Sequence, residues 1–153
     1  MNNRKLSLLM DFYELTMANG YFKDDKQNQI AVFDVFFRSI PDGGGYAVFA
    51  GLEQVIDYIK NLSFSESEIA YLRSKNVFDE GFLTYLKHFK FTSDVYAMKE
   101  GTPIFPHEPI LIVKGPIIEC QIIETMILLT INHQSLIATK ASRIVHAAQG
   151  RAV

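Results

Sequence analysis

A single cysteine, Cys120, is present, so neither an intramolecular disulfide framework nor a multi-cysteine metal site is available. Charge of one sign is also scarce. Lys plus Arg number 15 against 17 Asp plus Glu, and a net charge of -2 offers no basic field to nucleic acid. The opening MNNRKLSLLMDFYEL lacks an apolar core of signal-peptide length, because Asp11 and Glu14 interrupt it. A membrane span needs about 20 nearly uncharged residues. The most apolar stretch, Ile117 to Ile131, carries Glu119, Gln121 and Glu124 and reads as a buried helix. Fixed-period repeats and low-complexity tracts are missing too. Against these absences stand 12 Phe and 7 Tyr in 153 residues, far too many for a disordered chain. The length suits one domain with a real core, or a small domain plus a piece of another. The expectation is a reduced, cytoplasmic, globular protein.

Local patterns predict the elements. Asp11-Phe12-Tyr13-Glu14 has capping-box spacing and predicts a helix to about Asn19, with Gly20 as its left-handed stop. Ala31 to Arg38 reads as a strand buried on most of both faces, with Asp34 and Arg38 on one side of the pleat. Pro41 to Gly45 reads as a loop. Val48, Leu52, Val55, Ile56 and Ile59 predict an amphipathic helix to about Asn61. Ser65 with Glu68 repeats the capping-box spacing and predicts a helix to about Lys75; Phe78, Phe82, Leu83, Leu86 and Phe89 mark another. Asp94–Met98, Pro103–Phe105 and Pro109–Lys114 then suggest a compact set of short antiparallel strands. Helices over about 117–131 and 135–148 follow. Gln149-Gly150 reads as a helix stop and Arg151-Ala152-Val153 as the first residues of a strand, which suggests the N-terminal portion of a longer protein. The mixture indicates an α+β fold.

Candidate chemistry is sparse. Gly43-Gly44-Gly45 before a helix offers backbone N–H groups to a phosphate, or lets chains pack closely; the spacing is neither a Walker nor a dinucleotide fingerprint. His88, His107, His133 and His146 include no pair three or four apart, so no helical metal pair exists, and each reads first as structural or solvated. Cys120 reads as a small buried hydrophobe. Glu119 and Glu124 lie among apolar neighbours. Lys140 and Arg143, three apart, share a helix face that suits either solvent or a phosphate-rich ligand. Tyr13, just inside a helix start, is placed to pack or to stack on a flat ring. Arg38, at the end of an apolar strand, suits bidentate phosphate contact or an ion pair with Asp34.

Several segments, in order, resemble the nicotinate phosphoribosyltransferase family. Leu8 to Met17 is close to an LLTDLYQLTM-like opening, with Met10 where threonine is usual, and Ala31 to Arg38 is a VFDLFFR-like strand. The similarity continues through Gly43 to Glu53, Tyr71-Leu72, Phe82-Leu83, Tyr85-Leu86, Asp94 to Ala97 and Glu100-Gly101. It ends with Pro106-His107-Glu108-Pro109, Gly115-Pro116 and Leu136 to Arg143.

The resemblance implies the N-terminal α/β domain of a type II phosphoribosyltransferase, with the start of an α/β barrel that is otherwise missing. Residues 1–133 are expected to form that domain, and 134–153 the first helix and strand leading into the barrel. A barrel needs about 200 or more residues and does not fit within this chain. The implied reaction joins nicotinate to the ribosyl group of phosphoribosyl pyrophosphate, with ATP hydrolysis coupled through a phosphorylated histidine. That histidine is expected beyond Val153, since none of the four here matches it. Mg²⁺ and ATP are the implied cofactors, and a homodimer with a shared active site the implied assembly. The fragment alone is expected to be inactive. By the same resemblance Tyr13 stacks on the pyridine ring across the dimer interface. Asp11 lies nearby or simply caps its helix, and Arg38 matches a strand-end arginine near the phosphoribosyl phosphates in a related nicotinamide-using enzyme. Lys140 and Arg143 are weaker substrate-binding candidates. A nicotinamide- or quinolinate-using relative and a non-catalytic oligomerisation module remain the alternatives.

Overall fold

The computed structural model describes residues 5–40 and 43–153; Pro41 and Asp42 of the predicted loop lie outside the described residues. The order is α1 (Phe12–Lys23), β1 (Ile30–Val35), β2 (Ala47–Val48), α2 (Leu52–Asn61), α3 (Glu66–Ser74), α4 (Glu80–Lys87), β3 (Asp94–Ala97), β4 (Pro103–Ile104), β5 (Leu111–Pro116), α5 (Ile117–Ile122) and α6 (Glu124–Ala148). The architecture is α+β, as the mixed patterns imply.

The short strands do not form one module. β5 is the centre of an antiparallel sheet, β1-β5-β3, and β4 pairs with β2 in a separate ribbon. Register places Phe33 and Val95 on either side of Val113, an apolar row on the covered face. α1 and α5 lie on that side, and Ile118, Cys120, Ile122 and Ile123 are fully or almost fully buried. Gly115, just past the predicted strand end at Lys114, lies inside β5 opposite Ala31. A Cβ there would stand 1.9 Å from Ser93 Oγ and 2.8 Å from its Cα, so only glycine lets the segment before β3 pass so closely. Glu119 of α5 holds the same segment, accepting from the backbone N–H and hydroxyl groups of Thr92 and Ser93 at 2.6–2.9 Å.

β1 departs from expectation in two ways. It ends at Val35, short of Arg38, and its burial alternates rather than covering both faces. Ile30 and Val32 are each 60% exposed, because the three-stranded sheet carries helices on one face only. α1 runs on past Gly20 to Lys23, since one glycine inside a helix costs only about 1 kcal/mol and Tyr21 and Phe22 pack on the core. Val48 belongs to β2, so α2 starts at Leu52. The final helices break at Ile123 rather than near 132–134. Asn132-His133-Gln134 simply lie away from the buried stripe of Ile127, Ile131, Ser135 and Thr139. The expected terminal strand is not formed: Arg151 is a bend, and Ala152 and Val153 have no regular structure.

The inner half of α6 is zipped to β2 by hydroxyls. Thr139 Oγ1 accepts from Val48 N at 2.8 Å, and Ser135 Oγ accepts from Ala50 N at 3.1 Å. This satisfies backbone donors in β2 and just after it that otherwise cost free energy when buried.

Candidate functional site

The site is built where the first turn of α1 meets the first turn of α6. Asp11 precedes α1 with extended backbone, but its side chain caps nothing. Glu14, expected to close a capping box, turns inward and is fully buried. Its Oε1 accepts from Thr125 N at 2.9 Å and from Thr125 Oγ1 at 2.5 Å, while Thr125 Oγ1 accepts from Asp11 N at 3.2 Å. Ile123 gives α6 no side-chain cap of its own, so Glu14 supplies one from another helix. The adjacent residue, Glu124, accepts the Tyr13 hydroxyl at 3.0 Å and Gln121 Nε2 at 2.8 Å. Tyr13 is thus held at its hydroxyl, yet 46% exposed.

The electrostatics follow from burial. Desolvation pushes the Glu14 carboxyl up to about 7, against the Thr125 hydrogen bonds and with help from the negative Glu124 and Asp11. Among the described residues Glu14 Oε2 has no hydrogen-bond partner, nor has the buried hydroxyl of Tyr58 in α2. Burial and the nearby Glu14 raise Tyr58 above the ordinary tyrosine range. Partial desolvation and the bond to Glu124 push the Tyr13 hydroxyl up to about 12, so it donates at neutral pH.

From this junction a groove runs between β1 and α6. One cleft, about 310 Å³, is lined by Val32, Asp34, Cys120, Glu124 and Leu128 among others. A second, about 300 Å³, is lined by Arg38, Ser39, Leu128 and Asn132 among others. Val35 and Leu128 line both, so the two clefts adjoin, the first reaching the Glu124 that holds Tyr13 and the second Arg38. Arg38 lies three residues beyond β1 and is exposed. The ion pairs among the described residues are Lys26–Asp24, Arg73–Glu80 and Lys87–Glu66, so Asp34 and Arg38 do not form one. Tyr13 and Asp11 line neither cleft; Tyr13 meets the first only through its bond to Glu124, and Arg38 lines the second.

Lys140 and Arg143 lie elsewhere. Sixteen residues of helix separate Lys140 from Glu124, about 24 Å at the usual rise. Lys140 is exposed. Arg143 reaches the glycine loop, donating from Nη2 to Tyr46 O at 3.4 Å, and a Cβ on Gly44 would stand 1.7 Å from that nitrogen. The loop therefore packs on Arg143. The helix after it is already capped, because Glu100 Oε1 accepts from Gly51 N at 2.6 Å and Leu52 N at 2.7 Å. That carboxylate occupies the helix end a phosphate would have used. Residue-level reading missed Glu14 and Thr125 as partners and treated Glu124 only as a charge in an apolar helix. A carboxylate three residues after a possible cap is the one local signal for Glu14.

Comparison with known proteins places this arrangement. Residues 8–132 match the nicotinate phosphoribosyltransferase (NAPRTase) N-terminal domain. Nicotinate phosphoribosyltransferase pncB2 of Mycobacterium tuberculosis is 44% identical over 147 residues, 96% of this chain and 32% of that protein. Nicotinate phosphoribosyltransferase of Bacillus subtilis is 46% identical over 139 residues, 91% of this chain and 28% of that protein. The crystal structure of human nicotinic acid phosphoribosyltransferase superposes with a TM-score of 0.86 at 32% identity, covering 94% of this chain and 29% of that one. Nicotinate-nucleotide pyrophosphorylase from Pyrococcus furiosus gives 0.69 at 26% identity, covering 95% of this chain and 30% of that one. The fold is that of a phosphoribosyltransferase N-terminal domain. The chain belongs to the nicotinate phosphoribosyltransferase family and spans about a third of the length of the curated relatives it matches.

Proposed function

We propose that this chain forms the N-terminal domain of an enzyme that joins nicotinate to the ribosyl group of phosphoribosyl pyrophosphate, yielding nicotinate mononucleotide and pyrophosphate for NAD biosynthesis. The observation that carries the reading is the pair of adjoining clefts, one lined by the Glu124 that holds Tyr13 and the other by Arg38, in a chain of this family. Tyr13 offers an exposed ring tethered at its hydroxyl, suited to stacking on a flat heterocycle. Asp11 lies two residues before it. Arg38 presents a guanidinium beyond the strand end, and its planar fork matches a phosphate. The transition state has oxocarbenium character and a pyrophosphate leaving group, so cationic groups should dominate its stabilisation. Nicotinate is favoured as the base because relatives at 44% and 46% identity bear its name, against 26% for the nicotinate-nucleotide pyrophosphorylase.

The homodimer, in which Tyr13 serves the partner's pyridine site, belongs to the same proposal. So does the division at residues 133 and 134 between domain and barrel entry. Lys140 and Arg143 are retained as phosphate-facing candidates at a separate position along α6. Mg²⁺ and ATP are assigned to the whole enzyme. Among the described residues no three His, Cys, Asp or Glu side chains gather as metal ligands, and no step here runs through either cofactor. Among them, too, no helix is long and apolar enough to cross a membrane; a cytoplasmic location is part of the proposal. The test is product formation by the full-length protein from phosphoribosyl pyrophosphate with nicotinate, nicotinamide or quinolinate. Turnover with nicotinate is expected; turnover with another base alone, or none, overturns the reading.

A further inference from the structure

The hydrogen bonds around Glu14 serve more than a helix end. Glu14 and Asp11 flank Tyr13 in sequence, and both are tied to Thr125, one through its Oε1 and the other through its backbone N–H. The Tyr13 hydroxyl is tied to the preceding residue, Glu124. Backbone and ring tip of one tyrosine are therefore anchored to two consecutive residues of another helix, while the residue stays 46% exposed. Stability alone does not account for Glu14. A fully buried carboxylate with one oxygen unpartnered is costly, and an apolar side chain of similar size would fill the place at less expense. Geometry that fixes a ring does account for it.

We propose that Glu14 and Thr125 are positioning residues for the nicotinate site: they lock the first turn of α1 to the first turn of α6 and so set the plane of the Tyr13 ring. This rests on the reading that Tyr13 stacks on the base. The charged and titratable groups facing Glu14 are Asp11 before α1, Tyr13 of α1, Glu124 of α6 and Tyr58 of α2.

The experiment uses the full-length enzyme with Thr125→Val, Glu14→Leu, Glu14→Gln and Tyr13→Ala. KM is measured for nicotinate and for phosphoribosyl pyrophosphate, with amide hydrogen exchange at residues 11–14 and 124–126. Thr125→Val and Glu14→Leu should raise the nicotinate KM about fivefold or more and leave the other KM unchanged. Glu14→Gln, which keeps the accepting oxygen, should restore it. On the Tyr13→Ala background Thr125→Val should add nothing. Exchange should quicken at the Asp11 amide in Thr125→Val and at the Thr125 amide in Glu14→Leu. Nicotinate KM unchanged in Thr125→Val, while Tyr13→Ala raises it, refutes the positioning role and leaves the stacking role standing. An unchanged KM in Tyr13→Ala refutes the stacking role and the positioning role together. Unchanged exchange in both clamp variants refutes the lock itself, whatever the kinetics. If Glu14→Leu fails to fold, Thr125→Val carries the same test alone.

Discussion

Tyr13 and Arg38 act on different parts of the proposed substrate, so their variants should separate in kinetics. Tyr13→Ala removes a stacking surface, and the expected loss is about 1–2 kcal/mol in kcat/KM for nicotinate with phosphoribosyl pyrophosphate binding unchanged. Tyr13→Phe keeps the ring and loses only the bond to Glu124, which then turns to solvent; steady-state kinetics should show it several-fold milder than the alanine variant. Equal kinetics for wild type and Tyr13→Ala would remove the tyrosine from the site. Arg38 has no ion pair with Asp34, so a structural role has little to stand on. Arg38→Lys keeps the charge and loses the fork. It should raise the KM for phosphoribosyl pyrophosphate and leave the melting temperature of the exposed site unchanged. A lowered melting temperature with unchanged kinetics would make the arginine structural.

Two capping-box spacings show how far local reading reaches. At Ser65 the box forms as its spacing predicts: Glu68 N donates to Ser65 Oγ and Ser65 N to Glu68 Oε2. At Asp11 the same spacing misleads, because Glu14 has a better partner in Thr125, 111 residues away. Nothing within four residues announces that partner. The strands divide the same way. The existence of β1, β3, β4 and β5 follows from short β-branched runs between turn residues, whereas the spacing places Val48 of β2 in a helix, and β5 pairing with the distant β1 is a long-range choice made by the covered face. The break at Ile123 was illegible because the residues around it are buried all round and carry no breaker. Tyr13 and Arg38 were legible as candidates only through their local setting and the family resemblance; the clamp was legible through neither. Glycine positions give a test at this scale. Gly115→Ala collides with Ser93, including its backbone, whereas Gly45→Ala meets nothing within 4 Å. Chemical denaturation should show a loss of about 2 kcal/mol or more for Gly115→Ala and little for Gly45→Ala.

At the scale of the molecule, large apolar residues remain open on both β1 and α6. Val32 is 60% exposed, Leu129 54%, Ile137 57% and Val145 60%. Faces of this kind mark association surfaces, so the purified chain should self-associate and bind an apolar dye; a dye-silent monomer at high concentration would contradict this. The same chain should carry an inverted pH dependence from one residue. In the folded state the Glu14 carboxyl titrates near 7, against 4.5 when free. The folded state then binds the extra proton between those values, so stability is fully present below about 4.5 and falls as pH rises through 7. For a fully buried group the loss is at most about 3–4 kcal/mol. Glu66 beside Lys87 and Glu80 beside Arg73 titrate below their free values and act oppositely, losing their small contribution only as pH falls. Thermal melts from pH 4.5 to 8 should therefore show stability declining to about pH 7 and levelling above it. Glu14→Gln cannot ionise and should flatten that decline. A decline of the same size in Glu14→Gln would assign it to another group and leave Glu14 ionised in the fold at neutral pH.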